Sequence, residues 1–153
     1  MQRILTVAGA SAAALMLTAT TASAVTFEVD LATASPVPEG NSEICAEGGW
    51  YTGDDSHRTI ACFMKTGDWF HVVDQKADGY SAVALWQVTD PRGAVVRQGS
   101  VWNASGYDTH RYKNKDLPEG YDISIRACVG NWKGGDSPSI VKEACSAWKF
   151  GTT

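Results

Sequence analysis

The sequence predicts an all-β protein, an antiparallel β-sandwich stapled by two disulfides. Three observations predict it. Apolar residues recur with period two rather than 3.6, turn signals fall about every 8 to 12 residues, and four Cys follow a leader that reads as secretory.

The leader is Met1 to Ala24. Arg3 supplies its positive end, Ile4 to Leu17 its apolar stretch, and Ala22-Ser23-Ala24 a small-residue cleavage site. The apolar run is shorter than the roughly 20 residues that span a bilayer, so cleavage before Val25 is expected rather than anchoring. Residues 25–41 then form an N-terminal strand and linker, and residues 42–153 the β-sandwich domain. The expected product is secreted and extracellular. Beyond Ala24 stand 12 basic against 17 acidic residues, a net charge of −5. Such mild acidity argues against nucleic acid, which needs a basic stripe to displace counterions, and against anionic membranes.

The first expected strand is short. Phe27, Val29 and Leu31 alternate with Glu28 and Asp30, and Pro36, Pro38 and Gly40 break the segment that follows. Thr59 to Lys65 and Trp69 to Asp74 form a hairpin through Thr66-Gly67-Asp68. Tyr80 to Thr89 is the most continuous apolar run and reads as a central strand. Asp90-Pro91-Arg92-Gly93 makes a type I turn, in which Pro presets φ and Gly closes the chain. Ala94 to Asn103 returns, and the polar Tyr107 to Asn114 reads as mixed turn and edge strand. After a turn at Asp116 to Gly120, residues Tyr121, Ile123, Ile125, Ala127 and Val129 share one face. Asp122, Ser124, Arg126 and Cys128 share the other. A last strand is expected to carry Cys145 on the same side as Glu143 and Lys149. Seven or eight strands in all are expected, with no strong helix. The Leu117-Pro-Glu-Gly-Tyr121 entry resembles the corner before the penultimate strand of immunoglobulin-like domains. The buried Trp and inter-sheet disulfide of antibody domains have no match here, so the expected likeness is one of architecture.

Four Cys permit three connectivities. The spacing favours Cys45–Cys62 and Cys128–Cys145, each 17 residues apart and each bracketing its own turn region. Loops that short stabilise the fold by about 3 kcal/mol each in the chain-entropy model. A zinc site is disfavoured, because no C-x-x-C occurs and His57, His71 and His110 are scattered.

No catalytic centre is expected. Ser105 sits in no G-x-S-x-G turn; the groups Asp54, Asp55, His57 and Asp68, His71, Asp74 read as solvated turn residues. Neither Asp54-Asp55 nor Asp136 has the carboxylate run of a calcium cage. No cofactor and no metal are therefore expected. Six Trp stand out. Trp86 and Trp69 read as core, whereas Trp50 with Tyr51, Trp102 and Trp132 border loops and could stack on a sugar or anchor a protein. The N-terminal strand could pair with an open sheet edge in its own domain or in a partner. Val25, Phe27, Val29, Leu31, Trp50, Trp102 and Trp132 are thus the candidate partner-binding residues.

The segments Asn114-Lys-Asp-Leu-Pro-Glu-Gly120, Arg126-Ala-Cys-Val-Gly-Asn-Trp132 and Cys145-Ser-Ala-Trp-Lys-Phe-Gly-Thr-Thr153 resemble small secreted proteins of filamentous soil bacteria. Among these, the chain looks most like the small adaptor subunit of the umbrella toxin particles. The resemblance implies a non-enzymatic subunit that joins a repeat-containing toxin polypeptide to a lectin-like subunit, and it carries over no catalytic residue. The expected function is therefore a secreted adaptor in an antibacterial toxin complex. A carbohydrate-binding module is the alternative, and a protease inhibitor presenting Gly48 to Arg58 is a third reading.

Overall fold

The computed structural model describes residues 24–40, 44–49, 58–133 and 138–153. In chain order its strands are β1 (Phe27–Leu31), β2 (Ile44–Gly48), β3 (Thr59–Met64), β4 (Trp69–Asp74) and β5 (Ser81–Thr89). Then follow β6 (Val95–Asn103), β7 (Thr109–Asn114), β8 (Asp122–Asn131), β9 (Ser139–Val141) and β10 (Lys149–Thr152). They make two sheets in a sandwich-like arrangement. One runs β1-β6-β5-β8-β10, with β9 also paired to β8; the other runs β2-β3-β4-β7.

Alternation decides what each sheet buries. On β5, Ala82, Ala84, Trp86 and Val88 point inward, beside Ile123, Ile125 and Ala127 of β8. They meet Ala46, Ala61, Phe63, Phe70 and Val72 from the facing sheet. Phe63, Phe70 and Trp86 form a tilted chain of rings across the two layers, with centroids 5.4 and 5.6 Å apart. The expected turn after β5 is present. The Gly93 N–H donates to the Asp90 carbonyl at 2.9 Å, and the Asp90 carboxylate accepts from the Arg92 and Ala94 N–H groups. Gly93 has φ +85°, a conformation that side chains resist.

Both disulfides follow the spacing. Cys45 and Cys62 stand directly opposite on β2 and β3, with Cα atoms 4.1 Å apart, and Cys128–Cys145 has the same separation. Cys45–Cys62 lies on the outer face of the four-stranded sheet, and Cys128–Cys145 ties the segment covering the outer face of the other sheet to β8; neither bridge runs between the sheets.

Five features differ from the sequence expectation. The described residues hold ten strands, because β2 and the three-residue β9 are too short to stand out by periodicity. The pairing is not wholly antiparallel, since β1 runs parallel to β6. Cys145 lies in no strand; it follows a 3-10 turn at Lys142–Ala144. Nor is its partner on a wet face. The segment carrying Trp132, Ile140, Cys145 and Trp148 folds over the outer face of β5, β6 and β8, so Cys128 is buried in a second small core with Val83, Leu85 and Trp102. Trp69, expected in the core, is half-buried on the outer face of its sheet.

The start of the chain ties the two sheets together. After β1, the Ala32 N–H donates to the Trp102 carbonyl on β6 at 2.8 Å. One residue later Thr33 exchanges two backbone hydrogen bonds with Tyr112 on β7. Residues 31–33 therefore step from the edge of one sheet to the edge of the other and close that side of the sandwich.

Candidate interaction surface along the N-terminal strand

β1 lies inside its own domain, and the order of its faces is inverted. Hydrophobic burial alone would turn Phe27, Val29 and Leu31 inward. They are instead 48, 40 and 46% exposed, while Glu28 and Asp30 face the interior. The cause lies in three basic residues distant in sequence. Arg97 on β6 donates from Nε and Nη2 to the two oxygens of Glu28, each at 2.9 Å. Lys115, just beyond β7, reaches Glu28 and Asp30 at 2.5 Å each, and Lys113 reaches Asp30 at 2.9 Å. The Lys115 side chain is 6% exposed and its ammonium lies 5.2 Å from the centre of the Trp86 ring. The Arg97 guanidinium lies 5.7 Å from the same ring. Trp86 is thus roofed by cations, and β1 supplies the anions that neutralise them.

These contacts hold both carboxylates in the charged form. The Arg97 hydrogen bonds outweigh desolvation and keep the Glu28 pKa below its ordinary value. Burial alone would raise Asp30, but hydrogen bonds from Lys115 and Lys113 hold it low. Gly99 makes the approach of β1 feasible. A Cβ there would lie 2.4 Å from the Glu28 carbonyl oxygen and 3.0 Å from the Trp86 ring.

What remains outward is an apolar ridge on an edge strand. Just before the strand, Val25 is half-buried, with its carbonyl accepting from Gln98 Nε2 at 3.3 Å. The far side of an edge strand presents backbone N–H and C=O groups to any extended segment that adds to the sheet.

Neither Trp102 nor Trp132 presents a free ring beside the β1 ridge. Trp102 is fully buried, its indole N–H donating to Ser100 Oγ at 2.8 Å. Trp132 is half-buried and packs on it at 5.5 Å between ring centres. Trp102 is therefore a core residue rather than a ring presented to a ligand. Trp50 and Tyr51 lie outside the described residues, as do Asp54, Asp55, His57, Asp136 and most of the Gly48 to Arg58 loop.

The second polar group, Asp68, His71 and Asp74, is dispersed rather than assembled. Asp68 accepts the Leu117 N–H at 2.8 Å, and His71 meets His110. Ser105 Oγ accepts from Arg111 Nε at 2.8 Å. Among the described residues no group of three or more His, Cys, Asp or Glu is placed to hold a metal ion.

Asp74 is 3% exposed, and its Oδ2 has no hydrogen-bond partner, while Oδ1 accepts the Lys76 N–H. Burial, with the nearby Asp78 charge adding to it, pushes its pKa up to about 6. The native state holds this proton where the unfolded chain has lost it, so Asp74 lowers stability as pH rises from 3.8 through about 6. Asp74→Asn should therefore stabilise the protein by on the order of 1 kcal/mol at about pH 7.5 and bring no gain at about pH 4. Thermal unfolding of both proteins at the two pH values checks this; an equal effect at both would contradict it.

In comparison with known proteins, no family model matches the chain, and neither does any curated protein or solved structure. The two disulfides point to an oxidising environment, and no helix among the described residues is long and apolar enough to cross a membrane.

Proposed function

We propose that this protein is a secreted, non-enzymatic adaptor that assembles with larger extracellular proteins as a subunit of an antibacterial toxin complex. The observation that carries the reading is the inverted polarity of β1. A strand that spends its charged face inside and exposes Phe27, Val29 and Leu31 has an unsatisfied apolar side at a sheet edge. The occupant is an extended segment of a partner protein. It would add to the free edge of β1, its backbone supplying hydrogen bonds and its alternate side chains covering the ridge. The leader read from the sequence and the two disulfides support an encounter outside the cell. The resemblance to the umbrella-toxin adaptor names the partners as a repeat-containing toxin polypeptide and a lectin-like subunit. On the same reading the sandwich is immunoglobulin-like in architecture, and the protein binds neither nucleic acid nor membrane.

Val29→Asp tests the reading. Position 29 faces solvent, so a carboxylate there leaves folding nearly intact and places a charge in the middle of the docking ridge. In native culture fluid the wild-type protein is expected to sediment with a larger assembly and Val29→Asp as a single chain. Equal sedimentation of the two would refute the role of the ridge.

A further inference from the structure

We infer that the outer face of the four-stranded sheet carries a binding site for a single transition-metal cation of the copper(II) type, built from His71 and His110. The two residues sit on adjacent strands, diagonally across the β4–β7 register: His71 opposes Tyr112, and His110 opposes Val73. Period two sends all four side chains to the same outer face. Their ring nitrogens converge, with His71 Nε2 and His110 Nδ1 2.9 Å apart.

Two imidazole nitrogens each about 2.0 Å from one cation are about 2.8 Å apart at a right angle and about 3.3 Å apart in a tetrahedron, so two rings already this close can serve one cation as neighbouring ligands. Copper(II) binds nitrogen donors most tightly among the divalent first-row ions. His110 is exposed, so a rotation of its side chain turns a nitrogen pair that shares a proton into one that shares a cation. His71 is held more firmly, with Tyr112 stacked on its ring at 4.7 Å and an interplanar angle of 16°.

Both rings line an open depression of about 390 Å³ that also contains Gln75 and Asp108. The depression leaves room for the water ligands that complete a site with two protein donors. The Cys45–Cys62 bridge at its edge, where Cys62 opposes His71, ties down β3, the strand next to His71.

The test is titration of the purified, disulfide-intact protein with copper(II), followed by electron paramagnetic resonance. One equivalent is expected to bind with a tetragonal signal split by two imidazole nitrogens. His110→Ala should weaken binding by about tenfold or more and leave one nitrogen in the splitting, the loss expected when one of two imidazole ligands goes. His71→Asn should do the same, with circular dichroism unchanged. His57→Ala, the third histidine, should bind as the wild type does. Binding that survives in both His71→Asn and His110→Ala, or that disappears in His57→Ala, would overturn the site, as would an absence of binding in the wild type.

Discussion

Replacing Cys128 and Cys145 together by alanine is expected to destabilise the protein by about 2 to 5 kcal/mol, more than most single surface changes could. Two effects combine. The bridge closes a 17-residue loop and so restricts the unfolded chain. It also pins the segment bearing Trp132, Ile140 and Trp148 over Trp102, Val83 and Leu85. Chemical denaturation should show the lower midpoint. Near-ultraviolet circular dichroism should show that the Trp102–Trp132 pair has loosened before the main core unfolds. The same treatment of Cys45 and Cys62 should cost the loop term alone, since that bridge covers no second core. Equal losses and equal Trp signals in the two variants would contradict the description of the covered face.

Lys115→Ala is expected to release β1. Removing this ammonium leaves Glu28 without one of its two cations, Asp30 without one of its two, and Trp86 without its closer cation. Deleting one member of a largely buried ionic cluster costs about 3 kcal/mol, which corresponds to about a hundredfold faster exchange of the β1 amide protons. Acid should reproduce the effect in the wild type. Glu28 and Asp30 have lowered pKa values, so their contribution is complete above the ordinary carboxylate range and is lost as pH falls below it. Hydrogen exchange resolved by residue tests both. Amides of β1 that stay as protected as those of β5 in Lys115→Ala would show that the strand is held by its backbone alone.

Much of the fold can be read from local pattern, and the exceptions have a common cause. The Tyr80 to Thr89 run is apolar on both faces because it lies between β6 and β8 and is covered on both sides, once by the facing sheet and once by the Trp132 segment. The equal Cys spacings work as a guide because each pair closes a short path. The orientation of β1 is different. Alternation shows that its residues divide into two faces, but not which face turns inward, and the answer depends on Arg97, Lys113 and Lys115. Those three cations in an acidic chain were the available signal, although nothing local connects them to Glu28. Trp102 borders an Asn-containing loop in sequence and is buried only because residues 132–148 return over it. His71 and His110 lie 39 positions apart and meet only through the β4–β7 register. Period and turn chemistry reveal strands; they do not reveal which strands become neighbours.

The candidate surface was legible in the same uneven way. Val25, Phe27, Val29 and Leu31 stand out as an amphipathic segment at the start of the expected mature chain, and in the structure Phe27, Val29 and Leu31 form one outward ridge, with Val25 half-buried ahead of the strand. Of the aromatic residues chosen because they border loops, Trp102 and Trp132 do not join the ridge, since Trp102 is buried and Trp132 packs against Trp102.

The central claim is that the β1 ridge docks a partner protein outside the cell. Its most direct test is affinity purification of the tagged protein from its native culture supernatant, followed by mass spectrometry, for the wild type beside Val29→Asp and a deletion of residues 25–35. A repeat-rich polypeptide recovered with the wild type and lost from both variants, with the Val29→Asp fold intact, is the predicted result. Recovery of the wild-type protein alone as a monomer, or a partner that remains with Val29→Asp, would contradict the account.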